Sequence, residues 1–367
     1  MLRIRGHRRL EVRNPARRRK TGLRQRRPPA ARVEKARLRA AIGIEPDAAE
    51  LLRHIESGRK RFNDVDLCFF GVSVDPEDEA QHRVADSIPG IRYFWDFDRA
   101  VSAQYGAVLP DEGYRPIIYV LDPGLRVVAA FRSSAGHGAD IASLFALLDR
   151  LPKTAPAYHA PAQAPVLVLA RVFEPSLCEA LIAYYNAHGG EDSGFMRDVG
   201  GKTKKIIEYG HKRRRDCTIE DEQLHRACMT RIHDRLVPEI HKAFQFRATR
   251  MERYIVACYD AGEEGHFRPH RDNTTKGTAH RRFAVSLFLN TGAYEGGLLR
   301  FPEFGSALYS APVGGAVVFS CSLLHEATTV TRGRRFMFLP FLYDDAARRV
   351  REENFPYLEA DVDQKSE

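Results

Sequence analysis

The stretch His266-Phe-Arg-Pro-His270-Arg-Asp272-Asn273 places two imidazoles, two guanidinium groups and a carboxylate within eight residues. In extended backbone, side chains at i and i+2 share a face, so His270 and Asp272 point one way and Arg271 the other. Such a pair is unsurprising in a chain with 14 histidines and becomes a metal site only if a third ligand arrives from elsewhere. His325 ends the apolar run of FSCSLLHEATTV, 53 residues beyond Asp272, where a partner strand across a barrel would bring it alongside. Two imidazoles and one carboxylate would leave three coordination positions open, which suits non-haem Fe(II) and oxygen chemistry. A structural zinc ion would want four protein ligands and no vacancy.

Arg335 opens the apolar run RFMFLPFLY, in which Met337 and Leu339 share its face. A guanidinium turned inward among such neighbours is costly unless a carboxylate meets it. No acidic residue stands at a readable spacing. The expected partner is a dicarboxylate cosubstrate, held bidentately at one end while the other end chelates the metal.

The elements that must hold these groups begin at Arg253. RYIVACY, HFRPHRD, RRFAVSLFLN, GGLLRF, SALYSAP, GAVVFSC, HEATTV and RRFMFLPFLY are short β segments parted by Gly and Pro turns, the texture of a closed sandwich or barrel. Ahead of them, PVLVLARVF reads as a strand and EPSLCEALIAYYNAHGG as a helix, with Pro175 in its first turn and glycines after its end. A second helix is expected over about 220–244, where Leu224, Cys228, Ile232, Leu236 and Ile240 recur at spacings of four.

YDAGEEGHFRPHRDN, FAVSLFLN, GGLLRF, PVGGAVVF and HEATTVTRGRRF, in this order between Arg253 and Tyr343, resemble the Fe(II)- and 2-oxoglutarate-dependent dioxygenases of the prolyl 4-hydroxylase type. The resemblance implies a double-stranded β-helix, or jelly roll, with flanking helices. It implies Fe(II) on His270, Asp272 and His325, with no catalytic residue beyond these ligands. Arg335, ten residues past His325, would bind the distal carboxylate of 2-oxoglutarate, and Tyr259, in the Y-x-x-G position, would line the cosubstrate pocket. The implied reaction uses O2, with ascorbate as a further cofactor, hydroxylates a prolyl or other residue of a protein or a small molecule, and releases succinate and CO2. Phe288 departs from close relatives that carry a tyrosine there, which leaves Arg335 more of the cosubstrate's binding.

A loop in about the place of Lys202 to Arg215 covers the substrate in that family. Lys202, Lys204, Lys205, Arg213, Arg214 and Arg215 would then select an acidic or phosphorylated target; the alternative is an exposed charged hairpin. His266, His280 and Asn273 stand near enough in sequence to touch substrate. Arg271 and Arg282 read as rim, and Gly296-Gly297 and Gly314-Gly315 as turn glycines.

Residues 46–151 read as a small α/β unit of β-α-β and β-β-α order. GVSVDPEDEAQHRVADSIPGI, DFDRAVSAQYGA and RPIIYVLDP resemble the second half of the peroxiredoxin and thioredoxin-like fold, with Arg115-Pro116 at the family's active-site arginine or cis-proline. A peroxidatic thiol belongs near a helix N-terminus well before Val72, and no cysteine precedes Cys68, itself inside a strand. A redoxin-like domain without peroxidase chemistry is expected. LPKTAPAYHAPAQAP, Leu151 to Pro165, reads as rich in Pro and Ala, with 152–165 as a semi-rigid linker and 166–367 as the dioxygenase domain.

The 367 residues thus form an α+β multidomain chain, long enough for two cores. The formal charge of +9 is concentrated in residues 1–40, which hold fourteen Arg and two Lys against two Glu, and the remainder is mildly acidic. Residues 1–45 read as a basic disordered tail. That tail is either an arm for nucleic acid or anionic membrane, an organelle transit peptide, or a dispensable extension or miscalled start. Six scattered cysteines, no secretory segment and no run of 18 apolar residues point to a reduced, cytoplasmic protein without a membrane span. Three other classes stay open: a thiol peroxidase, a catalytically silent binding protein, and a nucleic-acid binder acting through residues 1–40.

Overall fold

The computed structural model describes residues 36–42, 46–109, 113–115, 117–132, 141–153, 159 and 162–359. The expectations for residues 1–35 and 43–45 of the tail, for Pro116 and for residues 154–158 and 160–161 of the linker lie outside them. The chain divides between residues 158 and 159 into two compact units.

In the first unit, β1 (Ala36–Ile42), β2 (Leu67–Ser73), β3 (Ile91–Trp95), β4 (Ile117–Leu121) and β5 (Val127–Arg132) form one sheet in the order β3-β2-β1-β4-β5. β1, β2 and β3 run parallel, and β4 and β5 are antiparallel to their neighbours. Helices α1 (Pro46–Ser57), α2 (Pro76–Ala80), α3 (Ala100–Gln104) and α4 (Ile141–Arg150) connect and cover it. Leu51 and Ile55 of α1 and Leu144 and Leu148 of α4 share a core with Phe69 and Ile118.

β1 corrects the tail boundary at residue 45. Arg37 and Arg39 break the apolar pattern by which periodicity is recognised, yet this is the middle strand. Ladder pairing on both edges, to Leu67–Ser73 and to Ile117–Leu121, supplies what local propensity lacks.

The second unit opens with β6 (Leu167–Leu169) and α5 (Pro175–His188), which begins on Pro175 and stops at Gly189, whose φ of 74° favours glycine. β7 (Glu191–Asp192), the hairpin β8 (Phe195–Val199) and β9 (Lys202–Ile206), β10 (Lys212–Arg213) and β11 (Arg215–Thr218) follow. The helix expected over 220–244 divides into α6 (Glu222–Arg231), a π turn over Ile232–Leu236, and α7 (Val237–Phe244). Pro238 supplies no N–H and crowds the carbonyl four residues back, so regular α geometry cannot run through it.

The remaining strands are β12 (Arg250–Glu252), β13 (Ile255–Asp260), β14 (His266–His270), β15 (Phe283–Phe288), β16 (Glu295–Gly296), β17 (Leu299–Arg300), β18 (Leu308–Tyr309), β19 (Ala316–Ser320), β20 (His325–Ala327), β21 (Val330–Arg332), β22 (Arg334–Phe338) and β23 (Phe341–Tyr343), before a last helix α8 (Asp345–Asn354). They make a larger sheet, β12-β23-β15-β22-β13-β11-β7 with β19 and β6 joined through β15, and a smaller one, β10-β14-β20-β17-β18.

Period-two alternation sorts the larger sheet's faces. Val256, Cys258, Val285, Leu287, Phe336 and Phe338 pack with the helices α5, α6 and α7. Ala257, Tyr259, Phe288 and Met337 share the other core with Phe267, Leu299 and Ala327 of the smaller sheet. That second core is the interior into which the candidate residues project. Ala164, buried in it, donates its N–H to the Tyr309 hydroxyl at 2.9 Å, so the linker read as far as residue 165 has already become part of the body there.

Candidate metal centre

β14 and β20 are antiparallel neighbours, and His270 stands opposite His325 in their register. The two imidazole centroids are 4.3 Å apart. Asp272 lies past the end of β14, in a turn rather than in the strand expected for HRD, with its N–H donating to the Cys321 carbonyl at 3.0 Å. Its carboxylate still meets both rings: Oδ1 lies 3.5 Å from His270 Nε2 and Oδ2 lies 3.4 Å from His325 Nε2. The three ligand-type atoms lie within 4.8 Å of one another, in the one such group found among the described residues.

Each histidine donates its Nδ1 proton to a backbone carbonyl two residues back, His270 to Arg268 at 2.7 Å and His325 to Leu323 at 3.0 Å. That fixes the tautomer with the Nε2 lone pair turned toward the carboxylate. Burial, aided by the neighbouring His325, holds His270 down to about 4, so the ring is neutral near pH 7. Burial opposes ionisation of Asp272, but His325 and His270 outweigh it and hold the carboxyl below the usual range. Phe267 stacks on His270 at 3.4 Å and Phe319 approaches His325 at 4.5 Å, giving the group an apolar wall.

Arg335 faces Tyr259 across the β13–β22 ladder and is 1% exposed. Its guanidinium carbon lies 4.9 Å from the Tyr259 ring and 5.3 Å from that of Phe288. Nε and Nη2 are buried without a hydrogen-bond partner. Gly297, with φ of 61°, lets the side chain pass, because a Cβ there would sit 2.7 Å from Arg335 Cδ. The Tyr259 hydroxyl accepts from Arg214 Nη1 at 3.4 Å. Tyr294, which no motif singled out, buries a hydroxyl without a partner in the same core. A carboxylate reaching Arg335 would give its orphaned donors the acceptors they lack, so the residues present fit an anionic cosubstrate.

A cavity of about 530 Å³ is lined in part by His270 and Asp272, with Lys212, Asp216, Arg253 and Arg281 also in its wall. Two buried charge clusters back it, and sequence reading missed both. In one, Glu252 accepts from His280 Nε2 at 2.8 Å and from Arg281 Nε at 2.6 Å. In the other, Asp216 accepts from Arg214 at 2.7 Å and Arg253 at 3.3 Å. The i, i+2 spacing of Lys212, Arg214 and Asp216 was the available signal, obscured by the charge run around it. A larger groove of about 1650 Å³ lies on the helical side among Tyr184, His225 and Tyr254 and contains none of the three metal-ligand candidates.

The residues read as a substrate loop are mostly engaged within the chain. Lys202 donates to the Pro356 carbonyl, Lys204 pairs with Glu359 at 2.8 Å, Arg213 donates to the Glu263 carbonyl and Arg215 pairs with Glu263 at 3.0 Å. Arg214 is buried on Asp216, and Lys205 alone of the six is exposed at the cavity with no side-chain hydrogen bond or ion pair among the described residues. His266 donates from Nδ1 to the Glu264 carbonyl, with Nε2 3.3 Å from the Gly210 carbonyl, His280 serves Glu252, and Asn273 donates to Ser322. Arg271 is a rim residue paired with Glu303 at 2.7 Å. In the first unit Cys68 is buried, its thiol donating to Asp64 at 3.2 Å, and Arg115 Nε is buried without a partner.

Residues 254–343 match the family model described as the 2OG-Fe(II) oxygenase superfamily. A PKHD-type hydroxylase of Azoarcus sp. (strain BH72) is 33% identical over 99 residues, covering 24% of this chain and 44% of that protein, so the chain spans less than half of that relative's length. A Pseudomonas putida prolyl-4-hydroxylase structure aligns over 50% of this chain and 95% of its own, at 20% identity and a TM-score of 0.38. Mycobacterium tuberculosis AhpC aligns over 31% of this chain and 68% of its own, at 17% identity and a TM-score of 0.24. Across residues 254–343, which contain His270, Asp272, His325 and Arg335, the second unit is similar to the 2OG-Fe(II) oxygenase superfamily.

Proposed function

We propose that the second unit is a hydroxylase that holds Fe(II) on His270, Asp272 and His325 and the distal carboxylate of 2-oxoglutarate on Arg335, with Tyr259 lining the cosubstrate's recess. The single observation that carries this reading is Arg335: a buried guanidinium with unpartnered donors among the described residues, against Tyr259 and Phe288 of the same apolar core that supplies Phe267 and Phe319 to the His/Asp/His group. A purely structural arginine would have been given a carboxylate. The bound metal, with 2-oxoglutarate and O2, supplies the oxidant and yields succinate and CO2.

The chain's own residues prepare that chemistry. The carbonyls of Arg268 and Leu323 hold the two Nδ1 protons, so both Nε2 atoms are ready to bind a metal without reorganisation. Asp272 brings one negative charge, Phe267 and Phe319 exclude water, and Arg335 fixes the cosubstrate's far end so that its keto acid end points one way. The two sheets sharing one interior are read as a double-stranded β-helix and the first unit as thioredoxin-like, with a protein residue, prolyl or other, or a small molecule as substrate and ascorbate as a supporting reductant. The thiol peroxidase alternative finds no exposed thiol among the described residues, since all six cysteines are buried.

The full chain supplied with Fe(II) and 2-oxoglutarate is expected to form succinate, and His270→Ala to abolish it while the circular dichroism spectrum and melting curve stay those of the wild type. Succinate formation undiminished in that variant would overturn the metal assignment.

A further inference from the structure

Resting on the reading above, we infer that the cavity beside the metal ligands is built for a substrate bearing a carboxylate, which seats on Lys212 and Arg253. The observation is an excess of buried positive charge on one wall. Lys212 and Arg214 are 5% and 7% exposed, and with Arg253 they surround a single carboxylate, Asp216. Asp216 also accepts from the Ser193 hydroxyl. Among the described residues Lys212 has no carboxylate in contact. Its ammonium donates to two neutral acceptors, Ser193 Oγ at 2.8 Å and the Gly194 carbonyl at 2.5 Å, and lies 4.7 Å over the Phe267 ring. An ammonium has three protons, so one is left over. Arg253 gives one bond to Asp216 and keeps further N–H groups for the cavity.

Of the cavity's other carboxylates, Glu191 and Asp192 are exposed, and Asp192 accepts from the Tyr209 hydroxyl at 2.6 Å and lies 3.7 Å from Arg215. Glu252 is held by His280 and Arg281, and Asp272 is turned to the two histidines. Asp198 accepts from Thr203 and from the Lys276 N–H. Arg214 Nε is buried without a partner. Uncompensated charge of this kind is costly in a folded protein and persists where a ligand supplies the missing sign. Burial and the nearby Arg214 accordingly push the Lys212 amine well below the usual lysine range and Arg253 down to about 10.

The cavity's lining leaves out the two residues assigned to the cosubstrate, although Arg214, behind the wall, touches Tyr259. Lys212, Arg253, His270 and Asp272 border the cavity, whereas Arg335 and Tyr259 do not. An anion here would therefore belong to the second reactant. One ammonium and one guanidinium match the two oxygens of a carboxylate, and would leave further oxygens of a phosphate unmatched. The carboxylate could be the α-carboxylate of a free amino acid or the side chain of Asp or Glu in a peptide.

Calorimetric titration of the full chain, loaded with Zn(II) and 2-oxoglutarate so that no turnover occurs, separates these sources. L-Proline against L-prolinamide tests the first, and N-acetyl-Pro-Glu-amide against N-acetyl-Pro-Gln-amide tests the second. In at least one pair the acid is expected to bind tenfold or more tighter than its amide, the order of magnitude of a charge-assisted contact. Lys212→Met should erase that preference and leave 2-oxoglutarate binding unchanged. Arg253→Gln, at a side chain solvent still reaches, gives the same readout if Lys212→Met does not fold. Equal binding of acid and amide in both pairs, no binding by any of the four, or a preference that survives both variants overturns the inference. Absence of 2-oxoglutarate binding in the first step would instead strike the hydroxylase reading, while the acid-against-amide comparison still tests the wall.

Discussion

Glu252 and Arg335 are both buried charges of the second unit, and their surroundings are opposite. Glu252, 4% exposed, accepts from His280 and Arg281 and lies 4.0 Å from Arg351. Arg335, 1% exposed, has aromatic faces at Tyr259 and Phe288 and donors with nothing to bind. Burial alone therefore does not separate a structural charge from a functional one; satisfaction does. The first kind is complete in the folded chain. The second is complete only with a ligand.

The comparison breaks most readily at Glu252. Glu252→Ala strands His280 and Arg281 in the interior and is expected to destabilise the second unit by about 3–5 kcal/mol, the cost of breaking a buried pair from one side. A denaturant midpoint equal to that of the wild type would show that the cluster holds nothing together. Arg335→Met should do the reverse, leaving stability unchanged or slightly raised while 2-oxoglutarate binding weakens by about thirty- to a hundredfold, as expected for losing charged hydrogen bonds worth roughly 2–3 kcal/mol. A large loss of stability with unaltered 2-oxoglutarate affinity would move Arg335 into the structural class.

A smaller effect separates the two sites by pH. Burial opposes ionisation of Glu252, but Arg281 and His280 prevail and hold its carboxyl below the ordinary value of 4.5. A depressed carboxylate contributes stability that is fully present above the unfolded value and is lost as pH falls through the folded one. The stability difference between wild type and Glu252→Gln should thus shrink as pH falls below 4.5. Arg335 has no titrating partner, so Arg335→Met should track the wild type across the same range, and urea melts at several pH values would reveal any divergence.

Legibility followed range along the chain. His270 and Asp272 are two residues apart, and their common direction needed only extended backbone, even though Asp272 turned out to occupy a turn. His325 and Arg335 could be located from apolar runs and from resemblance. Arg214 was read with its neighbours as a substrate-selecting loop, but the grouping of Lys212, Arg214 and Asp216, and of Glu252 and Arg281, was not legible, because a charge run looks the same whether its residues face water or a cavity. Lys202, Lys204, Arg213 and Arg215, read as a substrate-selecting loop, have partners from the chain itself. β1 was missed because its pairing on both sides, not its composition, makes it a strand.

By itself the sequence determined the kinds of donor available, their local spacing, and which residues of β13, β15 and β22 share a face, since these depend on side-chain chemistry and the two-residue repeat of a strand. Tertiary structure decided that His270 stands opposite His325, that no carboxylate among the described residues pairs with Arg335, and that Arg214 and Arg253 converge on Asp216. Register between strands, and the count of charges that meet in one interior, arise from contacts between segments far apart in the chain, and no local pattern encodes them.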